Sequence, residues 1–141
     1  MASILKVDDL RGNTAAGNIT ITSEGGAATM QLQQGVAKAW CAFSPASASV
    51  VDSLNSSGLT DNGTGDFTNA YTNSFNTAQA YTAGGQVAHS GATTTSYCCQ
   101  PYSDTTIATA STRYSILYNT ASAVGVADYD YAATTNHGDL A

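Results

Sequence analysis

Hydrophobic and polar residues alternate along much of this chain, as in Asn18-Ile19-Thr20-Ile21-Thr22, Thr29-Met30-Gln31-Leu32-Gln33 and Lys38-Ala39-Trp40-Cys41-Ala42-Phe43. A period of two sends successive side chains to opposite faces of an extended strand. Nowhere do apolar residues recur at the i, i+3, i+4, i+7 spacing of an amphipathic helix. The alternating runs are separated by clusters that favour turns: Arg11-Gly12-Asn13, Glu24-Gly25-Gly26, Asp61-Asn62-Gly63 and Ala83-Gly84-Gly85. The pattern predicts an all-β chain.

From Val36 onward it predicts strands at Lys38–Ser44, Ser49–Leu54, Gly58–Asp61, Asp66–Phe75, Ala78–Ala83, Gln86–His89, Thr105–Leu117 with a break, and Val124–Ala132. Short strands at this spacing suggest an antiparallel β-sandwich or jelly-roll-like head spanning residues 36–141. Asn62-Gly63 lies between two strands and accepts the positive φ of a tight hairpin. Phe67, Tyr71 and Phe75 share one strand face and Tyr114, Ile116 and Tyr118 another, which makes these two faces the expected core. Phe43 and Trp40 sit mid-strand, and Trp40 is expected to pack against a neighbouring strand or chain, so that Trp40→Ala would weaken the assembled head by roughly 3–5 kcal/mol through cavity formation. Tyr129 and Tyr131 alternate with Asp128 and Asp130, giving the last strand an aromatic and an acidic side. Tyr81, Tyr97 and Tyr102 fall in loop-like sequence, where their faces could stack on a sugar.

Residues 1–35 differ from the rest. They hold no aromatic residue and few large apolar ones, so they cannot build a core alone. Fully extended they would span up to roughly 115 Å. Ile19 with Ile21, and Met30 with Leu32, give each strand one apolar face, which favours an arm on another protein or an intertwined stalk over a disordered tail. Composition points the same way. The 43% hydrophobic content includes 24 alanines, so large side chains are scarce and dry contact with sister copies or a larger shell is the expected remedy.

Charge and chemistry narrow the field. Four basic residues, Lys6, Arg11, Lys38 and Arg113, stand against ten acidic ones for a net charge of −6; with no basic cluster, nucleic acid is not an expected partner. No stretch approaches the roughly eighteen apolar residues of a membrane helix, and the N-terminus lacks a signal-peptide pattern. Three cysteines, Cys41, Cys98 and Cys99, leave at least one thiol free and suit a reducing compartment such as a cytoplasm. Glu24 is the only glutamate, and His89 and His137 have no second ligand at zinc-binding spacing. Asp61-Asn62-Gly63-Thr64-Gly65-Asp66 offers glycine where a calcium loop needs its third and fifth oxygen ligands. A Gly-x-Ser-x-Gly elbow and a phosphate loop are both missing from the sequence. No catalytic residue, cofactor or metal ligand is therefore assigned. The Asn-x-Ser/Thr triplets at Asn18, Asn55 and Asn62 matter only in a eukaryotic secretory route.

Two segments carry a resemblance. Ala37-Lys38-Ala39-Trp40-Cys41-Ala42-Phe43, followed by Leu59-Thr60-Asp61-Asn62-Gly63-Thr64-Gly65-Asp66-Phe67-Thr68, resembles tailed-bacteriophage virion proteins found as tail fibres or fibre tips. Those proteins carry a Lys-Ala-Trp strand and then a Thr-Asp-Asn-Gly-Thr-Gly-Asp-aromatic-Thr hairpin. The opening Ile4-Leu5-Lys6-Val7-Asp8 and the close Asp128-Tyr129-Asp130-Tyr131-Ala132-Ala133 also look like the family's ends. Asn69 and Ala70 interrupt the apolar alternation usual after the hairpin, and Asn76 to Asp104 is richer in Ala, Thr and Tyr, so no loop-specific binding carries over.

The resemblance implies a β-rich, trimeric appendage without catalytic residues. The expected protein is a non-enzymatic virion component, made in the bacterial cytoplasm, whose residues 1–35 attach or trimerise and whose head contacts the host surface. Its expected partners are itself as a homotrimer, other tail or capsid proteins, and a host surface glycan. The rivals are a capsid decoration or cement protein and a free-standing carbohydrate-binding or hydrolytic β-sandwich.

Overall fold

A computed structural model describes residues 5–13, 19–22, 26, 29–79, 81–89, 96–103, 106–120 and 122–141. The chain divides into two compact units, Met1–Val36 and Ala37–Ala141.

In the first unit, β1 (Thr20–Thr22) and β2 (Thr29–Gln31) pair antiparallel with Ile21 opposite Met30, and a short 3-10 turn, Leu32–Gly35, follows. The Leu32 N–H donates to the Ile19 carbonyl at 2.8 Å. Every side chain of the two strands is exposed, as are Leu5, Val7 and Leu10. A two-stranded ribbon without a covered face is marginal in water. The readings placed on Ile4, Asn18, Glu24 and Gly25 fall outside the described residues.

The second unit is all-β. Its strands are β3 (Ala39–Ser44), β4 (Ser49–Leu54), β5 (Ser56–Gly63), β6 (Asp66–Tyr71), β7 (Thr82–Ala88), β8 (Ser96–Pro101), β9 (Ser111–Asn119), β10 (Val124–Val126) and β11 (Tyr131–His137). They form one antiparallel sheet in the order β4-β3-β11-β7-β8-β9-β6-β5, with β10 paired to β9. The two outermost strands, β4 and β5, are consecutive in the chain and joined by Asn55 alone. Asn55 takes φ 55°, a left-handed value that asparagine tolerates better than most residues. Its Oδ1 accepts from the Asn73 N–H at 2.6 Å and its Nδ2 donates to the Asn73 carbonyl at 3.0 Å. The sheet thus curls until its margins meet at one pinned corner, a nearly closed barrel in which β4 and β5 share no ladder.

Sandwich-like packing is achieved by the two halves of this single sheet. Alternate residues point inward: Ala39, Cys41 and Phe43 from β3; Phe67, Asn69 and Tyr71 from β6; Thr112, Tyr114 and Ile116 from β9; Ala132, Thr134 and Asn136 from β11. Phe43 and Phe67 meet across the interior with ring centroids 5.3 Å apart. One end of the barrel is filled by Tyr71, Phe75 and Tyr81, with Phe75 stacked on Tyr81 at 4.0 Å. The buried phenols find partners, as burial requires: Tyr71 donates to Thr112 Oγ1 at 2.7 Å, Tyr81 donates to the Ala108 carbonyl at 2.8 Å, and Tyr114 donates to Asn136 Oδ1 at 2.7 Å.

Four features depart from the sequence pattern. First, β8 falls where a loop was expected. Second, β7 runs unbroken through Gly84-Gly85, which read as turn punctuation. At Gly85 a Cβ would lie 2.6 Å from Cys99 Sγ and 2.9 Å from the Ala133 carbonyl oxygen, so the glycine lets β7 sit tightly beside β8 and β11. Third, the expected strand Asp66–Phe75 ends at Tyr71, and Phe75 reaches the core through an isolated bridge to Leu140. Fourth, Val124–Ala132 splits into β10 and β11, so Tyr129 and Tyr131 do not share a face: Tyr129 packs against the core and Tyr131 is exposed.

Candidate functional site

The hairpin quoted for the resemblance is built from turn chemistry. β5 and β6 pair as expected, but the reversal is at Thr64-Gly65, with Gly63 opposite Asp66. Asn62-Gly63 instead lies at an irregularity of the ladder, where the Gly63 N–H donates to Asp61 Oδ1 at 2.8 Å and Asn62 Nδ2 donates to Thr68 Oγ1 at 2.9 Å. Gly65 has φ 65°, and a Cβ there would lie 2.7 Å from the Ile116 carbonyl oxygen. Its N–H donates to Asp128 Oδ1 at 2.7 Å and its carbonyl accepts from the Ile116 N–H at 2.7 Å. Asp66 receives both Nε and Nη2 of Arg113, which lowers its carboxyl below the ordinary range and raises the guanidinium. The Arg113 guanidinium also lies 4.3 Å from the centre of the Tyr102 ring.

The aromatic residues singled out for sugar stacking do not come together. Tyr81 is only 7% exposed and belongs to the core, held by Thr112 and the Ala108 carbonyl; its expected place on a surface loop is corrected by this burial. Tyr102 follows the last residue of β8, whereas Tyr97 is the second residue of that strand. Trp40 sits between two neighbouring strands of the sheet. It lies half-buried on the outer face of β3, opposite Leu54 on one side and Thr135 on the other, while Ala39, Cys41 and Phe43 occupy the interior. Phe43, Phe67, Tyr71 and Tyr114 are buried, and Tyr118 is half-buried.

Tyr97 instead joins a cluster at the barrel end opposite Tyr71 and Tyr81. Register places it directly across from Tyr118 of β9. Tyr129 meets Tyr97 edge-on at 4.6 Å, and His89, just beyond β7, lies 5.0 Å from the Tyr129 ring and 5.9 Å from that of Tyr97. His89 Nδ1 is 2.9 Å from Asp130 Oδ2, a contact that ties the end of β7 to the approach to β11. Burial first, then the neighbouring Tyr97 and Tyr118 phenols, raise the Tyr129 hydroxyl above its ordinary value. Beside this cluster a surface cavity of about 260 Å³ is lined by Tyr97, Cys98, Leu117, Tyr118, Asn119 and Val124. The Tyr118 ring lies flat over Gly125, where a Cβ would be 2.6 Å from its hydroxyl oxygen.

Among the described residues, no three His, Cys, Asp or Glu side chains gather to hold a metal ion. No helix among them is long and apolar enough to cross a membrane. The chain matches no protein-family model, no curated protein and no solved structure.

Proposed function

We propose that this chain is a non-enzymatic structural component of a tailed-phage virion, a trimeric tail fibre or fibre tip whose barrel contacts the host surface. The observation that carries the reading is the first unit: a two-stranded ribbon with Ile21 44% and Met30 50% exposed, which has the apolar stripe of a packed element and needs other chains to cover it. The β4 edge adds Val50, Val51 and Leu54, all exposed at an unladdered margin, and such edges are natural sites for contact between chains. The Lys-Ala-Trp strand and the Asp61–Asp66 hairpin supply the resemblance, and the side chains of Asp61, Asn62 and Asp66 are engaged in holding the hairpin.

Immunogold labelling of purified particles with an antibody to this chain tests the reading. Gold at the tail tip is the expected outcome. Gold on the capsid would replace it with a head-decoration role, and unlabelled particles would end both. Light scattering of the isolated protein should return three times the 14.3 kDa chain mass; a monomer would remove the trimer.

A further inference from the structure

We propose that Asn62 is a site of spontaneous deamidation, at which the β5–β6 hairpin gains a negative charge and loosens with time.

The chemistry is internal to the chain. The Gly63 main-chain nitrogen attacks Cγ of the Asn62 side chain. An N–Cγ bond forms, the Cγ–Nδ2 bond breaks, and the Gly63 amide proton leaves with the side-chain nitrogen as ammonia. Water then opens the cyclic imide. Opening at the Cγ carbonyl gives aspartate at position 62, and opening at the main-chain carbonyl gives isoaspartate, whose backbone runs through the former side chain. Nucleophile and electrophile belong to adjacent residues, so the attack is unimolecular. A side chain on the following residue would crowd it, and Asn62 is the one asparagine of the sequence that precedes glycine.

The fold sets the rate. Asn62 is exposed and falls at the irregularity of the β5–β6 ladder, between the pairs Asp61–Phe67 and Gly63–Asp66. Gly63 has φ 133°, and a Cβ there would meet nothing within 4 Å, so the backbone beside the nitrogen is uncrowded. β5 is an outermost strand, and parting it from β6 breaks a single ladder. Three hydrogen bonds oppose the reaction. Asn62 Nδ2 donates to Thr68 Oγ1 at 2.9 Å and to Asp66 Oδ1 at 3.4 Å, which draws the amide toward β6, and the Gly63 N–H donates to Asp61 Oδ1 at 2.8 Å. Deamidation therefore proceeds from the fraction of molecules in which these bonds are open, more slowly than in the unfolded chain and faster when a bond is removed. Asn55, which precedes serine, is the contrast: both ends of its amide are held by the Asn73 main chain.

The product differs in charge and bonding. A carboxylate at position 62 has no proton to donate to Thr68 or Asp66. It stands near Asp61 and Asp66, and the Arg113 guanidinium is already engaged by Asp66. Isoaspartate also adds a backbone atom to β5. Each change weakens the hairpin.

The test is mass-spectrometric peptide mapping of the full chain held for weeks at pH 8 and 37 °C, in buffer and in urea. Replacement of the side-chain NH2 by OH at position 62, as aspartate and isoaspartate, is expected in buffer, several-fold more slowly than in urea and ahead of any reaction at Asn55. Thr68→Val and Asp61→Ala each remove one acceptor, at a half-buried and an exposed strand position, and each should speed the reaction several-fold in buffer but not in urea. Retention of the wild-type amide spectrum shows that each variant is folded. The modified fraction, separated by anion exchange on its added charge, should melt below the unmodified protein. Asn62 intact in buffer after complete reaction in urea overturns the proposal, as do equal rates in the two, reaction at Asn55 first, rates unmoved in both variants, or equal melting of the two fractions.

Discussion

Cys41 and Cys99 are buried and Cys98 faces solvent, its Sγ 3.3 Å from Gln100 Oε1. Loss of water around the thiolate pushes Cys99 up to about 12 and raises Cys41 as well. Native protein at pH 8 should therefore consume one equivalent of a thiol reagent quickly and three only when denatured; a second fast equivalent would show that the barrel interior is accessible. Asp66 behaves in the opposite sense. Its folded pKa is lowered, so the stabilisation from Arg113 is complete above the ordinary carboxylate value and is lost as pH falls through the folded one. Asp66→Asn should cost about 1 kcal/mol in urea denaturation at pH 7, with the difference shrinking toward pH 3. A gap that stays constant with pH would assign the effect to something other than the carboxylate. A buried ring on β6 and a half-buried one on β3 also make a paired comparison. Phe67→Ala, opposite Phe43 in the core, should cost about 3–5 kcal/mol, whereas Trp40→Ala in the single chain should cost only about 1–2 kcal/mol because the ring is half-buried. Equal losses would mean that a second chain covers Trp40 in solution.

At the scale of elements, the Asp61–Thr68 hairpin is held by its contact with β9 and with Asp128 as much as by its own turn. Gly65→Ala combines a left-handed backbone with a Cβ 2.7 Å from the Ile116 carbonyl oxygen, and a loss of more than about 2 kcal/mol is expected. An unchanged melting temperature would show that the tip does not dock. Strands β3 and β4 were readable because their neighbours are unambiguous: Pro45 and the residues after it break the chain, and Ala39, Cys41 and Phe43 alternate cleanly. Strand β8 was not. Ser96 to Pro101 carries adjacent cysteines and ends in proline, and its inward residues, Tyr97 and Cys99, gain meaning only from Tyr118, Ile116 and Gly85 across the ladders. Gly84-Gly85 departs from its turn pattern for a related reason: glycine marks a turn locally, but at Gly85 it permits close approach between strands, and only the partner strands reveal which.

For the molecule as a whole, every buried core residue among the described residues lies at or beyond Ala39. A chain shortened to begin at Ala37 should therefore unfold cooperatively with nearly the full-length melting temperature in circular dichroism. A large drop would mean that the first unit supplies stability the barrel lacks. The all-β class followed from period-two alternation, yet the aromatic end was only partly legible. Tyr97 could be singled out, but its grouping with Tyr118, Tyr129 and His89 depends on register and on the split between β10 and β11, which no local pattern encodes. The Asn55 corner has a directional consequence. With β4 and β5 pinned at that residue and unladdered beyond it, separation of the two strands should be widest at Ser49 and Gly63, so backbone amides there should exchange with solvent before those beside Asn55.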